Sequence, residues 1–112
     1  MDNMKPLKIY IAGPLNADAV NYIKNVSRML KIAIAIRKKG HYPYVPALDI
    51  LLGFVAGDWE YQDYFELNKA FLSCCDALFF IAPSPGASKE LKLARELGLK
   101  IFYDIKEIPK IQ

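Results

Sequence analysis

Hydrophobic and polar positions along the chain change their period several times, and each change marks a predicted element. Continuous short apolar runs are typical of strands that are buried on both faces. Such runs predict strands over residues 7–12, 77–82 and 100–104, and a weaker strand over residues 42–46. The prolines of the weaker strand place it at a sheet edge or end it early, because proline cannot donate to a strand ladder.

Apolar residues at helical spacing alternate with these strands. They predict helices over residues 18–39, 58–75 and 87–97. Gly40 and Gly98 follow two of these helices, as expected for glycine after a helix end. Residues 50–57 are ambiguous between a helical turn and a mobile loop. Strands that alternate with helices predict an α/β fold with a parallel sheet covered on both faces.

In such a sheet, ligands bind beyond the carboxyl ends of the strands. Two loops lie at these ends: Gly13, Pro14, Leu15 and Asn16 after the first strand, and residues 84–88 after the third apolar strand. We therefore expect substrate contacts from Gly13 and Pro14 in the first loop, and from Ser84, Gly86 and Ser88 in the second.

Composition narrows the class of protein. The chain has 112 residues, 54% of them hydrophobic, and a net charge of +3, so we expect one globular domain over residues 1–112. No apolar run reaches membrane-spanning length and the start lacks the order of a secretory signal, which predicts a cytoplasmic protein without a membrane partner. The basic cluster 37–39 is interpreted as a helix end rather than a nucleic-acid patch, because no aromatic-interleaved basic stripe accompanies it.

Several catalytic motifs are absent from the sequence. There is no GxGxxG, no GxxxxGK[ST] and no GxSxG. His41 is the one histidine, too few for a typical zinc site or an obvious triad, and we interpret it as a surface or interface residue. Adjacent Cys74 and Cys75 are interpreted as core packing rather than reactive thiols.

Glu90 lies on the apolar side of its predicted helix. Leu93, Ala94 and Leu97 follow it at positions i+3, i+4 and i+7, so they share its face. A carboxylate on that stripe is costly unless it has partners. It either caps its own helix, stays partly wet at the helix edge, or faces a ligand at the mouth between strand and helix.

Asn68 is likewise a polar residue on the apolar side of its helix, the preceding one. It lies near the centre of an apolar arc that includes Tyr64, Phe65 and Leu72. A buried asparagine has up to four hydrogen bonds to satisfy. It either bonds to neighbouring backbone or faces the same cavity as Glu90.

A carboxylate in a partly dry pocket suits attack on an oxocarbenium-like sugar carbon. The serine- and glycine-containing loop with a helix N-terminus suits a phosphate or another anion. Glu90 as a nucleophile must be ionised, and a helix N-terminus favours that form. Tyr10 on the first strand orients the carboxylate if its side chain points that way.

At these residues the chain resembles the nucleoside 2-deoxyribosyltransferase-like superfamily, most closely its small uncharacterised branch. The resemblance runs from Lys8 to about Tyr103. It rests on Ile9-Tyr10-Ile11-Ala12-Gly13-Pro14, on the spacing Asn68-x7-Asp76, and on Pro83-Ser84-x-Gly86-x3-Glu90-x3-Ala94-x3-Gly98.

The resemblance implies a Rossmann-like, flavodoxin-like parallel sheet of four or five strands and cleavage or transfer at the N-glycosidic bond of a nucleoside or nucleoside monophosphate. It implies Glu90 as the nucleophile, Tyr10 as the residue that positions it, and Ser84 and Gly86 in the phosphate or sugar pocket. It also implies a homodimer or higher homo-oligomer. No metal or organic cofactor is implied.

One position departs from the family pattern. Its characterised enzymes carry an aspartate at the position of Asn68, and asparagine cannot transfer a proton with a useful pKa. Asp49, Asp58 or Asp63 are substitutes that spacing does not separate. The alternative function is a non-catalytic nucleotide-binding or sensing module on the same fold.

Overall fold

A parallel sheet forms the centre of this computed structural model, which describes residues 4–15 and 18–111 and, at Ile50, the backbone alone. Within those residues the sheet has four strands: β1 (Lys8–Ala12), β2 (Tyr42–Tyr44), β3 (Ala77–Phe80) and β4 (Lys100–Phe102). Their order is β2-β1-β3-β4, and every neighbouring pair is parallel. The predicted α/β fold with a parallel sheet of four or five strands is therefore confirmed.

Helices cover both faces of the sheet, as the alternation predicts. Four of them are described: α1 (Ala19–Lys38), α2 (Ile50–Ala56), α3 (Tyr61–Leu72) and α4 (Pro85–Glu96). Along β1, Ile9 and Ile11 face the core that contains Met29 of α1. Tyr10 faces the opposite core, which contains Leu72 of α3, as well as Ala87 and Ala94 of α4. This alternation is the period of two that a strand imposes on its side chains.

Capping explains where two helices begin. Asp18 accepts a hydrogen bond from the Asn21 N–H at 3.0 Å and starts α1 where it was predicted. In α3, Glu60 and Asp63 form a reciprocal capping box, so the helix begins at Tyr61 rather than near residue 58. It ends at Leu72, three residues before the predicted end.

The start of α4 differs from the prediction. Ser84 Oγ accepts a hydrogen bond from the Ala87 N–H at 3.0 Å, and Pro85 takes the first helical position, which its fixed φ suits. Pro85 and Gly86, predicted as loop, are therefore helical. The hydroxyl of Ser84 is therefore the N-cap of α4.

The ambiguous segment after β2 is helical. A 3-10 turn over Pro46–Asp49 leads directly into α2, which Gly57 ends with a φ of +82°. Gly53 is buried against α3, and a Cβ at this position would lie 1.5 Å from the Tyr64 hydroxyl oxygen. Glycine is required here because it lets the two helices approach closely. β2 is an edge strand, as its prolines predict.

The interpretation of His41 as a surface or interface residue is wrong, since its exposed fraction is 0% within the single chain. Its Nδ1 accepts from the Leu7 N–H at 3.0 Å, and its Nε2 donates to the Pro109 carbonyl at 2.6 Å. The ring therefore ties the C-terminal segment to the start of β1.

The two adjacent cysteines lie in different environments. Cys74 is exposed, so its interpretation as core packing is wrong. Cys75 packs beside the core on the α3 and α4 side, and burial raises the pKa of its thiol to about 11. A neutral thiol is a poor nucleophile. Among the described residues, no helix combines the length and hydropathy that a membrane crossing needs.

The topology defines where a ligand can bind. From β1 the chain crosses through α1 to β2 on one side, and from β3 it crosses through α4 to β4 on the other. The order reverses between β1 and β3, and such a switch point opens a crevice beyond the carboxyl ends of the two strands.

Candidate active site

A cleft of about 530 Å³ opens at this switch point. It lies in the range of small-molecule sites. Its lining comes from the segments that follow β1 and β3, the first turns of α1 and α4, the turn after β2, and α3. The lining residues are Gly13, Leu15, Tyr22, Pro46, Ala47, Tyr61, Tyr64, Phe65, Asn68, Ser84, Pro85, Gly86, Ala87, Lys89 and Glu90.

Tyr10 and Glu90 form the chemical centre of the cleft. Tyr10 is fully buried on β1, and its hydroxyl donates a short hydrogen bond to Glu90 Oε2. Glu90 reaches the cleft from the second turn of α4. The side chain of Tyr10 therefore points at this carboxylate, which is the condition for Tyr10 to orient it. Glu90 neither caps its own helix nor faces bulk water alone.

Burial raises the pKa of Glu90 to about 7, opposed by the Tyr10 hydrogen bond, while the nearby Asp49 adds to the rise. The helix N-terminus, which we expected to favour the ionised form of Glu90, lies one turn away from it. Because α4 begins at Pro85, Glu90 lies beyond the first turn, where the dipole effect fades. Desolvation and the anion of Glu90 raise the pKa of Tyr10 far above its usual value, so Tyr10 remains a donor.

A second tyrosine-carboxylate pair lies beside the first. Tyr44 of β2 lies with its ring centroid 5.5 Å from that of Tyr10. Its hydroxyl lies 3.4 Å from both carboxylate oxygens of Asp49, at the end of the 3-10 turn. Burial is the main cause that raises the pKa of Asp49 above its usual value, and burial and Asp49 raise that of Tyr44 to about 12.

We call the lining residues Gly13, Ser84, Gly86, Lys89 and Glu90 the polar wall. Gly13 is buried, and a Cβ there would lie 3.0 Å from Ile81 Cβ, so glycine keeps the end of β1 against the end of β3. At Gly86 a Cβ would meet nothing within 4 Å, so the protein's own packing does not require glycine there.

Asn68 shares the cleft with Glu90, which is the second of its two predicted placements. Its side-chain Oδ1 is buried and has no hydrogen-bond partner in the protein. An unsatisfied buried carbonyl oxygen costs free energy. A ligand hydroxyl or amino group would satisfy it.

The opposite wall was not predicted as a site. Tyr61, Tyr64 and Phe65 of α3 line it together with Pro46 and Ala47, and we call these five residues the aromatic wall. The ring of Tyr61 stacks near that of Phe65, with centroids 6.2 Å apart. The sequence does carry a run of aromatics between residues 59 and 65, but such a run is also typical of an interface between subunits.

Lys89 was not predicted as a site residue. Its exposed side chain borders the cleft, and its Nζ lies 5.3 Å from the ring centroid of Tyr61. Pro14 and Ser88 are not among the lining residues. Ser88 is exposed, because the earlier start of α4 turns it away. Asn16 lies outside the described residues.

Within the described part of the chain, no group of three or more His, Cys, Asp or Glu side chains is arranged to hold a metal ion. The cleft instead offers one buried carboxylate with a tyrosine donor, an amide oxygen and a lysine. These groups suit nucleophilic attack and hydrogen bonding to a polar organic ligand.

Comparison with known proteins decides the family. Residues 7–103 match the family described as a domain of unknown function (DUF4406). The chain belongs to this DUF4406 family. Among curated proteins, no sequence matches it at a significant level.

Two solved structures share the fold of this DUF4406 chain. The 2-deoxyribosyltransferase from Leishmania mexicana superimposes with a TM-score of 0.64 at 22% identity, over 86% of this chain and 62% of that enzyme. The 2-deoxyribosyltransferase from Bacillus psychrosaccharolyticus gives a TM-score of 0.65 at 18% identity, over 94% and 92%. The chain thus spans less than two thirds of the Leishmania enzyme.

The predicted resemblance is confirmed at the level of the fold, which is that of the 2-deoxyribosyltransferases. A family of unknown function also agrees with the predicted uncharacterised branch. Because one fold hosts many activities, the chemistry has to be argued from the cleft.

Proposed function

We propose that this protein cleaves or transfers at the N-glycosidic bond of a nucleoside or nucleoside monophosphate. The observation that carries the proposal is the Tyr10–Glu90 hydrogen bond at the base of the cleft between β1 and β3. A carboxylate that is partly dry and fixed by one donor is preorganised for attack on an anomeric carbon.

In the first step, an oxygen of ionised Glu90 bonds to C1′ of the sugar while the bond from C1′ to the base nitrogen breaks. The electron pair of that bond goes to the base. Tyr10 holds the other carboxylate oxygen through its hydroxyl and keeps the attacking group in one orientation. The product is a glycosyl ester on Glu90 and a departing base.

In the second step, water or a second base attacks C1′ and releases the Glu90 carboxylate. Water makes the protein a hydrolase, and a second base makes it a transferase. No metal or organic cofactor enters either step.

The charge at one end of the cleft supports a 5′-phosphate on the substrate. Lys89 borders the cleft, and the first backbone N–H groups of α4 lie beside it at Ser84 and Gly86. We expect Lys89→Gln to weaken binding of a deoxynucleoside monophosphate about tenfold and of the matching nucleoside much less.

The aromatic wall supports a base in the other half of the cleft. Base–aromatic stacking contributes about 1–3 kcal/mol per base. Asn68 Oδ1 supplies an acceptor for a sugar hydroxyl or a base amino group. These contacts select for a nucleoside over a free sugar phosphate.

Self-association, a cytoplasmic location and action as one domain over residues 1–112 belong to the same proposal. Exposed apolar side chains support self-association: Ile23 of α1 is 68% exposed, and Phe54 and Val55 of α2 are 73% and 90% exposed. Large exposed apolar side chains that share a surface patch mark interaction surfaces. We propose that they meet in a homodimer or higher homo-oligomer.

The alternative is a nucleotide sensor without chemistry, and Asn68 is the residue that favours it. Incubation with deoxynucleosides and their monophosphates separates the two functions. Release of free base, detected by chromatography and lost in Glu90→Gln, is the expected result. Tight binding without release, unchanged by Glu90→Gln, would overturn the enzyme in favour of the sensor.

A further inference from the structure

One side-chain contact connects the two walls of the cleft. The Nζ atom of Lys89 on the polar wall lies 5.3 Å from the ring centroid of Tyr61 on the aromatic wall. Both side chains are exposed, and among the described residues the Tyr61 ring is the one partner of the Lys89 ammonium. The face of an aromatic ring attracts a cation, and an exposed contact of this kind shifts an equilibrium about two- to fivefold.

The helices that carry these two side chains are held together by the core beneath them. Leu72 of α3 packs with Ala87 and Ala94 of α4 in one buried cluster. A lysine side chain, in contrast, has a flexible four-carbon stem. When a ligand enters the cleft, we therefore expect the Lys89 side chain to move while the helices stay in place.

A phosphate at the start of α4 depends on Lys89. Pro85 has no N–H, and the Ala87 N–H already donates to Ser84 Oγ at 3.0 Å, so this helix end offers a ligand few backbone donors. Gly86 lies one turn before Lys89 on the same helix face, and a Cβ at Gly86 would meet nothing within 4 Å, which leaves room for an anion. A hydrogen bond from the ammonium to a phosphate oxygen is about 2.8 Å long, so Lys89 turns from the ring toward the phosphate.

A base on the aromatic wall needs the Tyr61 ring that Lys89 covers. Phe65 already lies beside this ring on α3, with centroids 6.2 Å apart and planes 20° apart. Lys89 approaches the ring from the opposite wall, the side from which a ligand in the cleft also arrives. A stacked base and the ammonium compete for this space, so base binding also requires that Lys89 leaves the ring.

We infer that the Lys89–Tyr61 contact couples the two ends of the cleft, so that the site prefers a ligand carrying both a base and a phosphate. This inference rests on the proposed function, which puts the base on the aromatic wall and the phosphate beside Lys89. Either ligand alone has to break the contact, which lowers its affinity about two- to fivefold. When both bind, the contact is broken only once, so each ligand raises the affinity of the other by that factor.

Two separate ligands measure this coupling. One is inorganic phosphate. The other is a carbocyclic 2′-deoxynucleoside, which stays intact because it has no ring oxygen to stabilise a positive charge at the carbon that bears the base. Calorimetry gives the dissociation constant of the most tightly bound of the four such nucleosides with and without phosphate. Ionic strength is kept equal, since screening alone changes the affinity of an anion.

For the wild type we expect saturating phosphate to tighten nucleoside binding about two- to fivefold, and the nucleoside to tighten phosphate binding equally. In Lys89→Gln and in Tyr61→Leu this factor should fall to about one, because no contact is left to break. Lys92→Gln changes an exposed lysine of α4 outside the cleft lining and should keep the wild-type factor. Tyr42→Leu should keep it too, since that ring lies 5.1 Å from the Arg37 guanidinium carbon, outside the cleft lining.

A wild-type protein without coupling, or with competition between the two ligands, would overturn the inference. The same holds if Lys89→Gln keeps the full coupling, or if phosphate or all four nucleosides fail to bind. Base release from natural substrates tests the proposed function separately, because the carbocyclic ligands report on binding alone. Coupling without base release would contradict the chemistry and keep the inference, whereas base release without coupling would do the reverse.

Discussion

The two walls of the cleft are built in different ways. The polar wall comes from strand ends and a helix start, where Gly13 lies against Ile81 and Ser84 caps α4. The aromatic wall comes from α3 and the turn after β2, and its Tyr61 ring is 56% exposed. Under the proposed function, the first wall holds the reacting groups in place, while the second presents an adaptable surface to the ligand.

The largest expected effect comes from Glu90→Gln on the polar wall. We expect base release to fall about 10⁴-fold or more, as for loss of a nucleophile. The free energy of unfolding of Glu90→Gln should rise, in contrast to its activity. Folding raises the Glu90 pKa from 4.5 to about 7, so the folded state binds more protons between these values and stability falls as pH rises through that window.

The amide carries no charge to desolvate, and its oxygen still accepts from Tyr10. The free energy of unfolding of Glu90→Gln, measured with denaturant, should therefore exceed the wild-type value by about 2 kcal/mol near pH 8 and by little near pH 5. Glu96→Gln, an exposed glutamate at the other end of α4, is the control and should change neither property. If Glu90→Gln were less stable than the wild type at both pH values, Glu90 would instead be a residue that stabilises the fold.

Tyr10→Phe removes the hydrogen bond that favours the charged form of Glu90. The pKa of Glu90 then rises above about 7, and the acid limb of the kcat/KM profile should move to higher pH. At neutral pH we expect a loss of about 10- to 100-fold. Tyr42→Phe on the exposed edge strand is the control. An unshifted acid limb in Tyr10→Phe would show that this contact does not act on the reacting carboxylate.

On the aromatic wall we expect binding to change rather than chemistry. Tyr61→Ala should raise KM about tenfold and leave kcat within about threefold, as loss of one stacked ring predicts. Tyr42→Ala is the control, since its ring is 51% exposed, close to the 56% of Tyr61, but lies outside the cleft lining. A large loss of kcat in Tyr61→Ala with KM unchanged would contradict the proposal that the aromatic wall acts in binding and the polar wall in chemistry.

The smallest effects on ligand binding and catalysis come from adding one methyl group behind the aromatic wall and one on the polar wall. Gly53→Ala collides with Tyr64 and should lower the free energy of unfolding by about 1–3 kcal/mol. Gly86→Ala meets no protein atom and should keep or raise stability, yet it fills cleft space and should weaken ligand binding. Thermal unfolding with and without nucleotide measures both changes. Full ligand affinity in Gly86→Ala would place the ligand away from α4.

The polar wall was the more predictable of the two, for physical reasons. Glu90 interrupts an apolar helical face, so burial of a charge was visible in the sequence itself. The apolar runs of β1 and β3 correctly predicted the two strands that meet at the cleft. The aromatic wall was hidden, because aromatic residues are equally typical of a core, an interface or a ligand site.

Other misses have local causes. The early start of α4 depended on one serine hydroxyl and one proline, and it moved Ser88 out of the cleft. The burial of His41 depended on backbone groups of Leu7 and Pro109, which are far from it in sequence. Asp49 was indistinguishable from its neighbours until the fold placed Tyr44 beside it.

Mass spectrometry of the protein mixed with a slowly turned-over 2-fluoro nucleoside tests the role of Glu90 as nucleophile most directly. We predict one covalent sugar adduct, mapped to the peptide that contains Glu90 and absent in Glu90→Gln. Base release without an adduct, or an adduct on another residue, would contradict it.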